Sequence, residues 1–306
     1  MDKVELGSKG HNRPQSGSCR SVGRSMEILV RIAATGAVML LVLMPVFFVR
    51  EFVTYLPQLH FLDLWSVAGN PLSQSPRYGI VLLVLNSALL ASGAVVVALP
   101  LGLGTALYIT EIAPQRMGRA FWVLIKGMAA IPPVIIGFLG YAIVITEQST
   151  RGASGPALVM LASLLLGLMI YPNIVCFLVD ALRRIPTSFK ASSYALGASR
   201  WQTIAHTIYP AAQPGIAAAG LFGFGRALGD TVIVLMLAQG IFGTRLPRAW
   251  PLLTMPIMIA TSATSAALGE GYYYGLYFAG LLLVVISYSL SYFGRRLVRT
   301  QRGELE

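Results

Sequence analysis

Apolar runs alternate along this chain with short polar stretches, and the runs are long. They cover residues 32–49, 78–110, 127–146, 156–179, 211–239 and 272–293. A helix of about 17 to 25 apolar residues crosses the hydrocarbon layer of a bilayer, so each run is long enough to span. The run 78–110 exceeds that length and must tilt or project beyond the lipid. Helix also satisfies every backbone polar group within its own segment, which lipid requires. The pattern predicts an all-α integral membrane protein with six transmembrane helices.

The interruptions set the connections. Pro57, Pro71 and Pro76 predict a loop over 51–77, with Trp65 and Tyr78 as interfacial aromatics. Pro100 is placed to kink the second span. Glu111, Arg116, Arg119 and Lys126 mark a short polar turn before the third span, and Ile131-Pro132-Pro133 breaks helix geometry near that span's start. Residues 147–155 read as a brief loop. Pro251 and Pro256 interrupt residues 240–271, leaving a stretch too short to cross that reads as a re-entrant or surface-lying helix. Residues 1–25 mix Gly, Ser, Asn and Pro with Lys3, Lys9, Arg13, Arg20 and Arg24, the composition of a disordered basic tail. The run 32–49 reads as an uncleaved span, because it is long for a signal core and Val49-Arg50-Glu51 leads into bulky residues. That leaves one transmembrane domain over 26–300, with a polar loop at 180–210 and a short tail at 301–306.

Composition confirms the class and charge adds orientation. Hydrophobic residues make up 56% of the chain and charged ones only 11%, which places it among membrane proteins. Of 23 Lys and Arg residues, sixteen fall in the two tails and in the loops after spans two and four. The opposite loops hold Arg50, Arg77, Arg151, Arg245 and Arg248. The positive-inside rule therefore places both termini in the cytoplasm of a multi-pass inner (cytoplasmic) membrane protein. The net charge of +11 edges apolar runs instead of covering one face, which argues against nucleic acid as partner and for membrane lipid. Cys19 and Cys176 lie in unlike surroundings and predict no disulfide. His11, His60 and His206 do not cluster, so no metal is predicted. No catalytic set and no GxxxxGK[ST] phosphate cradle are present, so neither a cofactor nor ATP hydrolysis by that route is expected.

Two stretches carry chemistry. The first is the polar loop 180–210. Pro186 and Thr187 start a short helix, Gly197 ends it in a left-handed cap, and Ser199 with Gln202 forms a capping box for a second helix. The result is a helix, sharp turn, helix elbow in which Tyr194, Gly197, Ala198, Ser199, Arg200 and Trp201 surround the turn. Exposed Phe189, Tyr194 and Trp201 suit a docking surface, or self-packing against the membrane domain.

The second stretch is Gly223-Phe224-Gly225-Arg226-Ala227-Leu228-Gly229-Asp230-Thr231, inside the fifth span. An ionised Arg near the bilayer centre costs at least about 2.5 to 3.5 kcal/mol. It therefore faces a bundle interior or an aqueous path, and Asp230 one turn on shares its face. Gly225 and Gly229 form a small-xxx-small edge that lets another helix approach. One reading is a buried salt bridge that fixes helix register. The other is an anion path, because the planar guanidinium pairs two oxygens of a phosphate or carboxylate. Asp230 then neutralises Arg226 at rest and yields it to the passing anion, or accepts a hydrogen bond from a protonated phosphate oxygen, with Thr231 beside it.

These residues resemble a family. Gly197 followed by Pro210 thirteen positions on resembles the elbow loop by which permease subunits of ATP-binding-cassette importers engage their ATPase subunits, although Ala191 stands where that motif has Glu and Tyr209 where it has Leu. The segment Gly225-Arg226-Ala227-Leu228-Gly229-Asp230-Thr231 is similar to one in phosphate importer permeases, the PstC/PstA family, with Asp in place of the usual Glu. Leu99-Pro100-Leu101-Gly102-Leu103-Gly104, Glu111-Ile112-Ala113-Pro114 and Ile131-Pro132-Pro133-Val134-Ile135-Ile136-Gly137-Phe138-Leu139-Gly140 resemble it too. The resemblance implies a permease subunit that moves inorganic phosphate. It also implies partners: a like or homologous permease, two cytoplasmic ATP-binding subunits and an extracytoplasmic phosphate-binding protein. The alternatives are a permease for another oxyanion or small solute and, from a different class, a membrane-embedded enzyme.

Overall fold

The computed structural model describes residues 17–55, 79–150, 155–242, 252–262 and 272–305, and all the regular structure among them is helical. The chain divides into residues 1–50 and residues 51–306.

Helix α1, Gly17–Tyr55, begins inside the stretch expected to be disordered and runs past both ends of the expected span 32–49. From Met26 to Arg50 its side chains are exposed nearly throughout. Such a surface suits lipid, since an apolar helix in hydrocarbon needs no protein cover.

The larger unit opens with α2, Ile80–Leu107. Its buried positions, Ile80, Leu83, Ser87, Leu90, Ala94, Ala98, Gly102 and Ala106, recur every three or four residues and form one stripe. The helix runs through Pro100 and closes in a π-turn at Tyr108–Ile112, where Ala113 N–H donates to the Tyr108 carbonyl at 2.8 Å. That stripe meets α5, Gly155–Arg183, the most enclosed helix of the bundle. Small residues set their separation. A Cβ at Gly167 would stand 3.1 Å from the Ala94 carbonyl, and one at Gly102 only 2.8 Å from Ile174. Close backbone approach of this kind is how helices associate in lipid, where no hydrophobic effect drives them together. A Thr105–Tyr171 hydroxyl pair at 2.8 Å adds a polar link.

Between these two helices the expected polar turn is instead a helix, α3, Gln115–Ala129. Its residues follow the 3.6 period: Gln115, Arg119 and Lys126 share one face, while Met117, Phe121 and Leu124 share the other. Four charges over 16 residues drew attention to polarity and away from that periodicity. The third expected span, 127–146, is correspondingly not one straight helix. It breaks at Ala130 to Pro132 and resumes as α4, Pro133–Thr150, bent by 76° from α3. Proline at the first position of α4 explains why the helix restarts there.

The 180–210 loop folds into α6, Thr187–Ala195, and α7, Arg200–Thr203. A π-turn at Ile204–Ile208 joins α7 to α8, Tyr209–Leu228. The fifth span is broken as well: α9, Val232–Phe242, departs by 44° and packs on α4, where Gly137 faces Ile233 and Met236. Helix α10, Met255–Ser262, is too short to cross. It is not surface-lying, because residues Leu252 to Met258 are all buried. Asn86 donates to the Leu253 carbonyl and Met255 N–H donates to Ser87 Oγ. Helix α11, Tyr272–Leu305, closes the bundle against α8 and carries the Arg-rich end as continuous helix. Among the described residues four helices are long and apolar enough to cross a membrane, and up to six spans result if each bent pair is one.

Candidate functional site

The elbow forms as its sequence dictates. Gly197 has φ +82°, a conformation that a residue with a Cβ adopts only at a cost. Ala198 N–H donates to the Ser193 carbonyl and Gly197 N–H to the Tyr194 carbonyl, the paired bonds of a Schellman ending. Ser199 then caps α7: its side chain accepts from Gln202 N–H, and the Gln202 amide oxygen accepts from Ser199 N–H at 2.8 Å. Ser193 and Thr203 share a hydroxyl bond at 3.0 Å across the turn. The turn thus projects a fixed apolar knob, with Leu196 89% and Trp201 69% exposed and Phe189 and Tyr194 also outward. Leu196 was not singled out from the sequence, yet it is the most exposed of these, because the left-handed turn lifts it off the bundle.

Two further contacts escaped the sequence. Lys190 Nζ donates to Glu111 Oε1 at 2.6 Å, and Arg200 donates to the carbonyls of Glu111 and Ile112. These partners lie 79 to 89 positions apart, and no local pattern announces such a pair.

Arg226 sits in the last turn of α8 and lines a cavity of about 270 Å³ between α5, α8 and α11. Asn173, Ser287 and Ser291 contribute polar groups to the same wall, and stacked Phe177 and Phe222 lie 4.6 Å apart beside it. Among the described residues no hydrogen bond engages the side chains of Asn173, Arg226, Ser287 or Ser291. No carboxylate lines the cavity. Its lining therefore carries one cation, on an Arg226 that is itself exposed, and three hydrogen-bonding groups uncommitted among the described residues.

Asp230 does not continue the face of Arg226, because α8 ends at Leu228. Its Oδ2 accepts Ile233 N–H at 3.0 Å, which caps α9 and satisfies a donor that the new helix would otherwise leave orphaned. It stays within electrostatic reach of Arg226 without forming a direct ion pair. Thr231 sits in the same break, where its carbonyl accepts Leu235 N–H at 2.9 Å. The two glycines part company here. Gly225 faces Leu290 of α11 at ordinary contact, whereas Gly229 has only the carbonyls of its own helix within 4 Å. Within this segment the tightest approach belongs to Gly223, where a Cβ would stand 2.7 Å from Ile174 of α5.

A bundle of helices long and apolar enough to cross a membrane, with an exposed elbow, defines a multi-pass membrane protein. The chain belongs to the family described as binding-protein-dependent transport system inner membrane component, which matches residues 98–303. Among curated relatives, the probable ABC transporter permease protein YqgH of Bacillus subtilis (strain 168) is 34% identical over 175 residues, 57% of each chain. Phosphate transport system permease protein PstC 2 of Mycobacterium tuberculosis is 28% identical over 209 residues, 62% of this chain and 64% of that one. PstC of Mesorhizobium japonicum is 25% identical over 74% of this chain and 75% of its own. The chain thus spans less than two thirds of the first two. The fold is shared with a bacterial alginate ABC transporter (TM-score 0.64, 16% identity, 92% of this chain and 96% of that). It is shared also with the MetNI methionine ABC transporter (TM-score 0.56, 18% identity, 75% and 99%).

Proposed function

We propose that this chain is the permease subunit of an ATP-driven importer and that the ion it passes is inorganic phosphate. The observation that carries the reading is the cavity at Arg226. At about 30 Å³ per liquid water, 270 Å³ accommodates a tetrahedral oxyanion with part of its hydration. The guanidinium offers paired donors to two oxygens, and Asn173, Ser287 and Ser291 replace bonds that the ion gives up on leaving water. Arg226 here opposes no carboxylate across the cavity, so an entering anion does not compete with one in direct contact. The relatives named as phosphate permeases support the choice of ion.

Asp230 modulates this site from one turn away, and its charge offsets that of Arg226 while the cavity is empty. The elbow serves as the surface that a cytoplasmic ATPase subunit grips, through Tyr194, Leu196 and Trp201. Function requires a like or homologous permease partner, two such ATPase subunits and an extracytoplasmic phosphate-binding protein. Both termini face the cytoplasm in this reading, which the distribution of Lys and Arg supports. A second reading, a permease for another solute, draws on the fold likeness to transporters named for methionine and alginate.

The test is uptake of labelled phosphate by the full complex in proteoliposomes, with sulfate, molybdate and an amino acid as competitors. Phosphate transport that Arg226→Gln abolishes in a normally inserted complex supports the proposal. Undiminished uptake in that variant, or preference for a competitor, overturns it.

A further inference from the structure

We propose that Glu111 is the point where motion of the elbow enters the transmembrane bundle, acting as a positioning residue that makes α2 move with the elbow. The proposal rests on the elbow being the surface an ATPase grips. Both arms of the elbow converge on this one residue. From α6, Lys190 pairs with the Glu111 carboxylate at 2.6 Å, in a contact where the two side chains are only 24% and 9% exposed. From α7, on the far side of Gly197, Arg200 donates to the Glu111 and Ile112 carbonyls. The arms are themselves latched by Ser193 and Thr203. An elbow held at two points to one residue transmits rotation as well as translation, which a single contact would not.

The receiving end is built to be held. Glu111 and Ile112 lie in the π-turn that ends α2, and carbonyls in the last turn of a helix lack partners within it. A guanidinium there satisfies two of them and complements the negative end of the helix dipole. Because the side chain of Glu111 is nearly enclosed, its pair with Lys190 is shielded from the screening that weakens surface ion pairs.

What α2 then does follows from its neighbours. It packs along its length on α5, by way of Gly102 and Gly167, and α5 supplies Asn173 and Phe177 to the Arg226 cavity. The elbow also continues through α7 and its π-turn into α8, which carries Arg226. A push on the elbow therefore reaches the cavity by two routes, directly along α8 and through Glu111 into α2 and α5. With the second route cut, α8 moves against a stationary α2 and α5, and ATP is spent without the cavity being remodelled as a unit.

The experiment measures the ratio of solute moved to ATP hydrolysed by the complete complex in proteoliposomes. Variants are Glu111→Gln, Lys190→Met and the exchanged pair Glu111→Lys with Lys190→Glu. An energetic coupling between sites is typically worth about five- to 150-fold. The expectation is a drop of about tenfold in the ratio for each single variant, at near-normal ATP hydrolysis, and substantial recovery in the exchanged pair. Unchanged ratios in Lys190→Met, or an exchanged pair no better than the single variants, overturn the proposal. So does a parallel loss of both activities that tracks loss of assembly, which marks a structural staple only. If the unaltered complex hydrolyses ATP but moves no phosphate, the substrate assignment fails separately. The stimulation of hydrolysis by the loaded binding protein then takes the place of the ratio, with the same variants and outcomes.

Discussion

Asp230 shows how one carboxylate takes on two tasks. Its oxygen caps α9, and its charge lies near enough to Arg226 to matter. The tasks separate under substitution, because Asn caps a helix nearly as well as Asp whereas Ala does not. Asp230→Ala is expected to lower stability by about 1 kcal/mol, seen as earlier thermal unfolding in detergent. Asp230→Asn should unfold close to the unaltered protein and yet transport phosphate poorly. If Asn transports normally, the charge is dispensable and the cap is the residue's whole contribution. Arg226 and Asp230 stand out in the sequence because charge inside an apolar run is rare, whereas their separation by the helix break does not. Nor do Asn173, Ser287 and Ser291, because single polar residues are common in membrane helices and nothing local sets these three apart.

At the scale of elements, the elbow is the part best determined by local rules. The bonds that shape the turn itself join residues no more than ten apart, so turn and capping chemistry decide its form, and only its ties to Glu111 and Ile112 reach across the chain. Its exposed aromatic and aliphatic residues bring little to the fold. Trp201→Ala is therefore expected to leave stability unchanged within about 0.5 kcal/mol. Loss of such an anchor weakens an interface by about 2 kcal/mol or more, and co-purification of ATPase subunits measures it. Retention of the ATPase at normal stoichiometry and salt resistance would count against the elbow as the grip. The broken helices behave differently. Pro132 and Pro133 signal the α3–α4 bend, whereas the charges of α3 suit a turn and mask its helical period. The α8–α9 bend carried no proline and depended on Asp230 preferring to cap a new helix instead of extending the old one.

For the whole molecule, the inference that both termini and the elbow face the cytoplasm rests on charge alone, and it is testable at one side chain. Leu196 is 89% exposed, and only its backbone is engaged, through its N–H to the Ser192 carbonyl. In a protein with Cys19 and Cys176 replaced by Ser, Leu196→Cys is expected to react with a membrane-impermeant thiol reagent in inverted vesicles and not in right-side-out ones. The opposite pattern would invert the topology and remove the elbow from any ATPase. The buried Leu252 to Met258 segment also belongs to this scale. Its length excluded a crossing, but only contact with Asn86 and Ser87 shows that it tucks into the bundle.

By itself the sequence determined the membrane class, the helical character of the long apolar runs, the shape of the elbow and the presence of two charges inside an apolar run. These follow from hydropathy, from capping rules and from the cost of a charge in lipid, all of which act over a few turns of helix. Only the tertiary structure decided that three helices leave a cavity at Arg226, that Asp230 faces a helix start, and that Glu111 is gripped from both arms of the elbow. Those outcomes depend on how closely Gly102, Gly167 and Gly223 let backbones approach and on pairs some eighty residues apart. Packing in three dimensions sets such distances, and no periodicity along a single helix encodes them.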